Sequence, residues 1–170
     1  MDLLDFKFPK DVYPVGRLDE NSEGLLILTN DKSLNHKLLK PEFEHKRIYL
    51  VQLQGIITTE ALKQIETGIT IALDSGPYLT KPCKAKQVKK PENLPPRGHP
   101  ISDRLPTSWI ELTLTEGKFH QVRKMTAGAG FPCLRLIRIA IEEVRLEQMQ
   151  PGEVRELKKE AIHKKLNIAL

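Results

Sequence analysis

The chain has 170 residues, with 27 Lys and Arg against 22 Asp and Glu, for a net charge of +5. This length allows one domain with a substantial core, and the moderate positive charge favours an anionic partner without requiring one. Cys83 and Cys133 form no CxxC motif, so neither a disulfide framework nor a zinc site is predicted. No apolar run of about 18 residues occurs and the N-terminus is too charged for a signal peptide, so we expect a soluble protein, cytoplasmic or in an organellar matrix or stroma.

The first predicted strand follows a polar turn that carries candidate functional residues. Arg17 and Asp19 precede the turn at 20–23, and Gly24 opens the apolar run 25–28, which is typical of a buried strand. Loops held by a packed scaffold often carry chemistry, which makes Asp19 a candidate catalytic residue. The alternatives are that Asp19 only satisfies backbone N–H groups and that Arg17 only pairs with a glutamate of the turn.

The middle of the chain predicts alternating helices and strands. In chain order these are a helix over 34–39 capped by Ser33 and ended by Pro41, a strand over 47–53, and a helix capped by Thr58 or Thr59 that runs to Thr67 and ends at Gly68.

A basic segment and a proline-rich segment come next. Residues 81–90 carry five lysines and no acidic residue, which predicts an exposed strand with Ala85 and Val88 turned inward. Its lysines either form a solvated face or contact RNA phosphates. Residues 91–106 hold five prolines and predict a long loop or a disordered link within one domain. Three basic residues would make this segment an RNA-contacting flap: Arg97, His99 and Arg104.

The last third begins with a strictly alternating strand over 108–115, with Ile110, Leu112 and Leu114 on one face. Residues 116–125 then turn at Gly117 and enter a helix. The remaining predicted elements are a strand over 132–139, a turn over 150–153 and a basic C-terminal helix over 157–170.

Three strings resemble the signatures of one enzyme family. GRLDENSEGLLILTND at 16–31 resembles GRLD-x-x-[ST]-x-GLL-x-LTN of the pseudouridine synthases of the RsuA/RluB/RluE/RluF family. EGKFHQVRKM at 116–125, followed by GFPCLRLIR at 130–138, resembles the second signature, and GEVREL at 152–157 resembles the closing one. The resemblance covers residues 11–157. It implies an α+β fold in which a mixed, largely antiparallel bent sheet is flanked by helices, with an active-site cleft across the sheet and one catalytic domain over 1–170.

The resemblance also implies roles for individual residues. Asp19 would be catalytic, Tyr49 would stack on the target uracil, and Arg123 would pair with Asp19 and keep a buried carboxylate ionised. The implied substrate or RNA contacts are Arg17, which could fill the hole left by the extruded base, Leu136 as an apolar floor beneath the uracil, and Lys118, His120 and Lys124.

Each implied role has a structural alternative. Tyr49 could be an ordinary half-buried strand residue, Arg123 a surface helical cation, and His120 a polar packing or phosphate contact. Phe119 and His120 stand where many members of the family have Asn and Arg.

The implied activity is isomerisation of a specific uridine, in large-subunit ribosomal RNA, by a monomer without cofactor or metal. The mechanism stays open between an acylal, a Michael adduct and a glycal route. One rival is a non-catalytic, basic RNA-binding protein of the same fold, whose binding would survive Asp19→Asn. Another is a base-acting hydrolase or deaminase, but the H-x-E and P-C-x-x-C motifs of a zinc deaminase are absent from the sequence.

The start of the chain departs from the family pattern. No S4 RNA-binding segment precedes the first signature, and the N-K-P-x-G segment of the family's opening strand is missing. We therefore expect a truncated start, with the open sheet edge covered by residues 3–8 or by a second copy of the chain.

Overall fold

The computed structural model describes Leu4 and residues 6–97 and 105–169. The strands are β1 (Tyr13–Pro14), β2 (Glu23–Gly24), β3 (Leu28–Thr29), β4 (Arg47–Gln54), β5 (Thr70–Leu73), β6 (Gly76–Leu79), β7 (Lys84–Val88), β8 (Thr107–Leu114), β9 (Cys133–Ile141) and β10 (Val144–Arg145). The helices are α1 (Lys32–Leu39), α2 (Thr59–Thr67), α3 (Gln121–Gly128) and α4 (Lys159–Lys165), with a 3-10 turn at Pro41–Phe43. Within the described ranges, no helix is long and apolar enough to cross a membrane.

The largest sheet has six strands and supports the functional residues. Its order is β10-β9-β4-β8-β7, and β2 also pairs with β9. Every pair in it is antiparallel except β2 with β9, which is parallel. Two short antiparallel pairs, β1 with β3 and β5 with β6, lie outside this sheet. The predicted α+β class and mixed, largely antiparallel sheet are confirmed.

The alternating pattern of β8 correctly predicts which of its residues face the main core, and side chains also pack on part of the other face. Ile110, Leu112 and Leu114 point to the main core, where α2 and α3 pack. Trp109 points to the other face and is 5% exposed. It forms a smaller buried cluster with Leu50 and Ile137. Packing on both faces, though less complete on the second, explains why β4, β8 and β9 are rich in apolar residues.

The predicted strand over 25–28 is wrong. Between residues 23 and 29, only Glu23–Gly24 and Leu28–Thr29 pair with other strands. The Leu25 N–H still donates to the Arg138 carbonyl of β9 at 2.8 Å, and the chain leaves the sheet after this bond. Leu25 and Ile27 are buried against α1 and α4 in a third cluster, whereas Leu26 is 38% exposed. The apolar run therefore fills a core between helices.

Helix boundaries follow the sequence signals in part. Thr58 caps α2 and Gly68 ends it, as predicted. For α1 the predicted cap is wrong, since Asp31 and not Ser33 is the N-cap, accepting the Ser33 and Leu34 N–H groups at 2.8 and 3.2 Å. Helix α4 is shorter than the predicted 157–170, and the hairpin of β5 and β6 was not predicted.

Asp31 also joins the start of α1 to the C-terminal helix α4. This contact leads to a pH-dependent prediction. Its Oδ2 lies 3.0 Å from Lys159 Nζ and 3.4 Å from His163 Nε2 of α4. The hydrogen bond from Lys159, followed by the one from the Leu34 N–H, lowers the pKa of Asp31 from 3.8 to about 2. The folded protein therefore binds fewer protons than the unfolded chain between these values, so this stabilisation is complete above pH 3.8 and is lost as the pH falls to about 2.

We expect Asp31→Ala to lower the unfolding free energy by about 1 kcal/mol at neutral pH, the usual effect of removing an N-cap. Asp31→Asn keeps the cap and should lose less. Urea unfolding at neutral pH and near pH 3 measures both variants. A deficit of Asp31→Ala that does not shrink at the lower pH would contradict the role of the ionised carboxylate.

Candidate active site

The loop that carries Asp19 is anchored on β9 through the backbone. Glu23 and Gly24 pair in parallel with Ile137 and Arg138. Gly24 has φ of +105°, and a Cβ atom at this position would overlap the backbone of Arg138. Both facts require glycine here, because other residues rarely adopt this φ and none fits so close to a neighbouring strand. Gly24, the second glycine of the first signature, therefore lets the loop lie directly against β9.

A half-buried ion pair gives the same loop a second anchor. Arg135 of β9 donates from Nε and Nη2 to the two carboxylate oxygens of Glu23, at 2.8 and 2.7 Å. The Arg135 side chain is only 8% exposed, whereas that of Glu23 is 39% exposed, so this bidentate pair is shielded from solvent on the arginine side only. Its Nη2 also donates to the Pro95 carbonyl at 3.0 Å and holds the start of the proline-rich segment. This role of Arg135 was not predicted from the sequence, although LRLIR was part of the resemblance.

Asp19 lies at the start of a tight turn, with its side chain partly exposed. Its carbonyl accepts the Ser22 N–H at 2.8 Å, and its side chain is 27% exposed. His120 Nε2 lies 3.6 Å from Asp19 Oδ1. His120 precedes α3 in the left-handed conformation, with φ of +52°. The carboxylate is thus accessible and faces an imidazole.

The predicted ion pair between Arg123 and Asp19 is not formed, since no contact within 4.0 Å joins these two described residues. Arg123 Nη2 instead donates to the Asn21 carbonyl at 2.5 Å, so the guanidinium reaches the backbone of the turn and not its carboxylate. Its Nη1 lies 3.8 Å from Cys133 Sγ. Burial raises the pKa of the Cys133 thiol to about 11, which leaves it neutral beside this cation.

Tyr49 and Leu136 lie on the same face of the main sheet. Tyr49 is half-buried on β4 and packs against the main core, to which Leu136 of β9 also belongs. Tyr49 is directly opposite Arg138 in the β4–β9 pair. Gly24 flanks the same Arg138 from the other side of β9. At Arg138, β9 therefore lies between β4, which carries Tyr49, and β2, which follows the Asp19 turn.

Arg138 itself is a buried cation that the sequence analysis did not single out. It is 5% exposed, and its Nε donates to the Leu25 carbonyl at 2.8 Å. Burial lowers the pKa of its guanidinium, and the neighbouring Tyr49 partly opposes that change. Within the described part of the chain, Nη2 has no hydrogen-bond partner. Arg138 therefore places an unused donor beside Tyr49.

Polar residues of the second signature hold the conformation of the loop after β8 through hydrogen bonds. Glu116 is 8% exposed and accepts hydrogen bonds from the Tyr78 hydroxyl at 2.6 Å, the Lys81 N–H at 2.9 Å and Gln121 Nε2 at 2.7 Å. The Glu116 carboxylate raises the pKa of Tyr78. Gln121 Oε1 accepts the Lys118 N–H at 2.9 Å. The glutamate and glutamine of EGKxxQ thus fix the loop that presents residues 118–120.

The remaining predicted contact residues lie on the surface or outside the described residues. Lys118 Nζ lies 4.5 Å from the centre of the Tyr78 ring, and Lys124 Nζ donates to the Ala72 carbonyl at 2.7 Å. Arg17 is exposed. It forms no ion pair with Glu20 or Glu23, both of which are described residues, so the alternative that Arg17 only pairs with a glutamate of the turn is not supported. Arg97 is half-buried, whereas His99 and Arg104 are not among the described residues.

The geometry as a whole suits a large, charged substrate. Two shallow, open surface concavities are lined by other residues, among them Phe131 and Tyr13, and Asp19, Tyr49 and Arg123 line neither of them. In the described ranges, no group of three or more His, Cys, Asp or Glu could hold a metal ion. A partly exposed carboxylate that faces an imidazole can act on a base turned out of a nucleic acid.

Comparison with known proteins defines the class. Residues 2–128 match the family model for RNA pseudouridylate synthase, and the chain belongs to this family. It is 43% identical over 151 residues to "Ribosomal large subunit pseudouridine synthase E" of Xanthomonas axonopodis pv. citri, covering 88% of this chain and 77% of the relative. The protein of the same name from Vibrio vulnificus is 41% identical over 157 residues, covering 91% of this chain and 65% of the relative.

A solved structure agrees with this assignment. "Crystal structure of pseudouridylate synthase" superposes with a TM-score of 0.75 at 29% identity, covering 94% of this chain and 63% of that chain. The chain therefore spans less than two thirds of the Vibrio relative and of the solved protein. The predicted family and the predicted enzyme class, an RNA pseudouridine synthase, are confirmed.

Proposed function

We propose that this chain isomerises one uridine of large-subunit ribosomal RNA to pseudouridine, with Asp19 as the catalytic carboxylate. The observation that carries the proposal is the Asp19 turn, which is anchored twice on β9 and leaves the carboxylate partly exposed, facing the His120 imidazole. The relatives at 43% and 41% identity are named for the ribosomal large subunit. The net charge of +5 suits a polyanionic substrate.

The reaction breaks the N1–C1′ bond of the uridine and forms a C5–C1′ bond. A proton leaves C5 and N1 gains one, so the overall change is an isomerisation. A carboxylate can attack or stabilise C1′ or act as a base near it, which is the role proposed for Asp19. The uridine must first leave the base stack, and the exposed Arg17 is free to brace the gap. Tyr49 and Leu136, on one sheet face, would hold the uracil.

We further propose that a single copy of the chain carries the whole site in the cytoplasm. All three proposed catalytic residues come from one chain: Tyr49 lies on β4, Asp19 on the turn anchored to β9, and Arg123 on α3, which packs on the same sheet. Light scattering during turnover would detect a requirement for a second copy.

Arg123→Ala should lower the isomerisation rate by about 10- to 100-fold, as for loss of a supporting contact at a site. The variant loses the hydrogen bond that holds the Asn21 carbonyl and a positive charge at the turn that carries Asp19. The unfolding free energy should fall by less than about 1 kcal/mol, because Asp19 is accessible and would not be left as a buried unpaired charge. Single-turnover rates and urea unfolding measure the two effects.

Lys63→Ala on α2 is the matched control for removal of a helical cation and should leave the rate unchanged. An Arg123→Ala variant as active as the wild-type protein would show that Arg123 is only a surface cation.

The function is tested by mapping pseudouridine in ribosomal RNA. Purified protein is incubated with in vitro transcribed large-subunit RNA, and carbodiimide-dependent primer-extension stops are located. RNA from cells with and without the gene is mapped in parallel. We expect one position that appears with the protein and is missing without the gene. RNA binding without any new pseudouridine would favour the non-catalytic RNA-binding alternative.

A further inference from the structure

Two aromatic rings form an exposed stack beside the candidate catalytic carboxylate. The rings of Phe119 and His120 have centroids 3.9 Å apart and planes inclined by 19°. Phe119 is 53% exposed, and the His120 side chain is 40% exposed. His120 Nε2 is the atom that lies 3.6 Å from Asp19. A flat, solvent-accessible aromatic surface thus begins next to Asp19.

The loop that carries this stack is held by residues other than the rings. Glu116 and Gln121 fix its two ends through the hydrogen bonds described above. The left-handed backbone at His120 turns the imidazole toward Asp19. Because the loop does not depend on burial of Phe119, packing within the protein does not account for this exposed apolar ring.

The charges around the stack indicate which ligand it suits. Lys118 and Lys124 flank it in sequence, and residues 117–124 contain no acidic residue. Lys124 Nζ lies 5.2 Å from the centre of the Phe119 ring. Nucleobases stack on exposed aromatic rings, and their phosphates are attracted by nearby lysines. A peptide or apolar ligand would use the ring but not the two cations.

We propose that the Phe119–His120 stack is a subsite for an unpaired nucleobase that neighbours the target uridine in the RNA. The inference rests on the proposed function, because it takes the base that reacts at Asp19 as the reference point. It assigns Phe119 a role in binding and not in the chemical step. Loss of the ring should therefore raise KM or Kd and leave kcat nearly unchanged.

The test first measures binding alone. Fluorescence anisotropy gives the affinity of each variant for a fluorescein-labelled oligouridine of about 12 nucleotides at fixed salt. Phe119→Ala should weaken binding by roughly 5- to 150-fold, the range for one base–aromatic stack. Phe119→Trp should bind like the wild-type protein, whereas Phe119→Leu should not. Phe43→Ala, which removes a phenylalanine of equal exposure (52%) on the 3-10 turn, should change nothing.

The second measurement locates the base. In a stem-loop that carries the modified uridine, each unpaired neighbour is replaced in turn by an abasic nucleotide. One replacement should raise KM for the wild-type protein by the same factor and have no further effect on Phe119→Ala, as expected for two changes that remove one contact.

The outcomes separate the two proposals. Equal oligouridine affinity of Phe119→Ala and wild-type protein, or full restoration by Phe119→Leu, overturns the stacking subsite. Tight, Phe119-dependent binding by a wild-type protein that forms no pseudouridine overturns the proposed function and leaves the base-stacking site standing.

Discussion

Asp19→Asn is expected to abolish isomerisation while RNA affinity and the unfolding free energy stay unchanged. The amide is nearly isosteric with the carboxylate but has neither its charge nor its nucleophilicity, so the rate should fall by about 10³-fold or more. The fold should tolerate the change because the Asp19 side chain is partly exposed and its backbone carbonyl, not its carboxylate, closes the turn with Ser22. Tritium release from RNA labelled at C5 of uridine measures turnover.

Asp74→Asn offers a control for the loss of one acidic charge elsewhere on the chain, and its turnover should equal that of the wild-type protein. If Asp19→Asn retained more than a few per cent of the activity, Asp19 would not be the catalytic carboxylate. If it lost RNA affinity together with activity, the role of Asp19 would be in binding.

Gly24→Ala is expected to cause the largest loss of stability, by about 3 kcal/mol or more, together with loss of activity. A Cβ atom at Gly24 would overlap the Arg138 backbone while φ stays at +105°. Relief of that overlap requires β2 to move away from β9, and the Asp19 turn moves with it. Urea unfolding and tritium release measure the two losses.

Gly76→Ala is the matched control, because it separates backbone strain from steric overlap. Gly76 has nearly the same φ, +110°, but no atom lies within 4 Å of a Cβ placed there. We expect this variant to lose only about 1 kcal/mol and to remain active. Equal losses at the two glycines would show that strain alone, and not the β2–β9 contact, accounts for the effect of Gly24→Ala.

The sequence by itself determined the elements whose signals are local. The alternation in β8 predicted which residues point to the main core, and Thr58 and Gly68 predicted both ends of α2. Such signals are local because side-chain period and capping depend only on a few adjacent residues. The signature strings likewise identified the family and the candidate residue Asp19, since their residues are contiguous in the chain.

Only the tertiary structure decided how distant segments meet at the site. The run Leu25 to Leu28 has the composition of a strand, but the path of the chain after Gly24 sends it between two helices. Arg123 bonds the Asn21 backbone and not Asp19, because the reach of its guanidinium depends on how α3 sits against the turn. The Glu23–Arg135 pair joins residues 112 positions apart, and no local pattern specifies such a contact. Long-range geometry of this kind follows from the packing of the whole sheet, in which β9 brings the turn, the tyrosine strand and the buried arginines together.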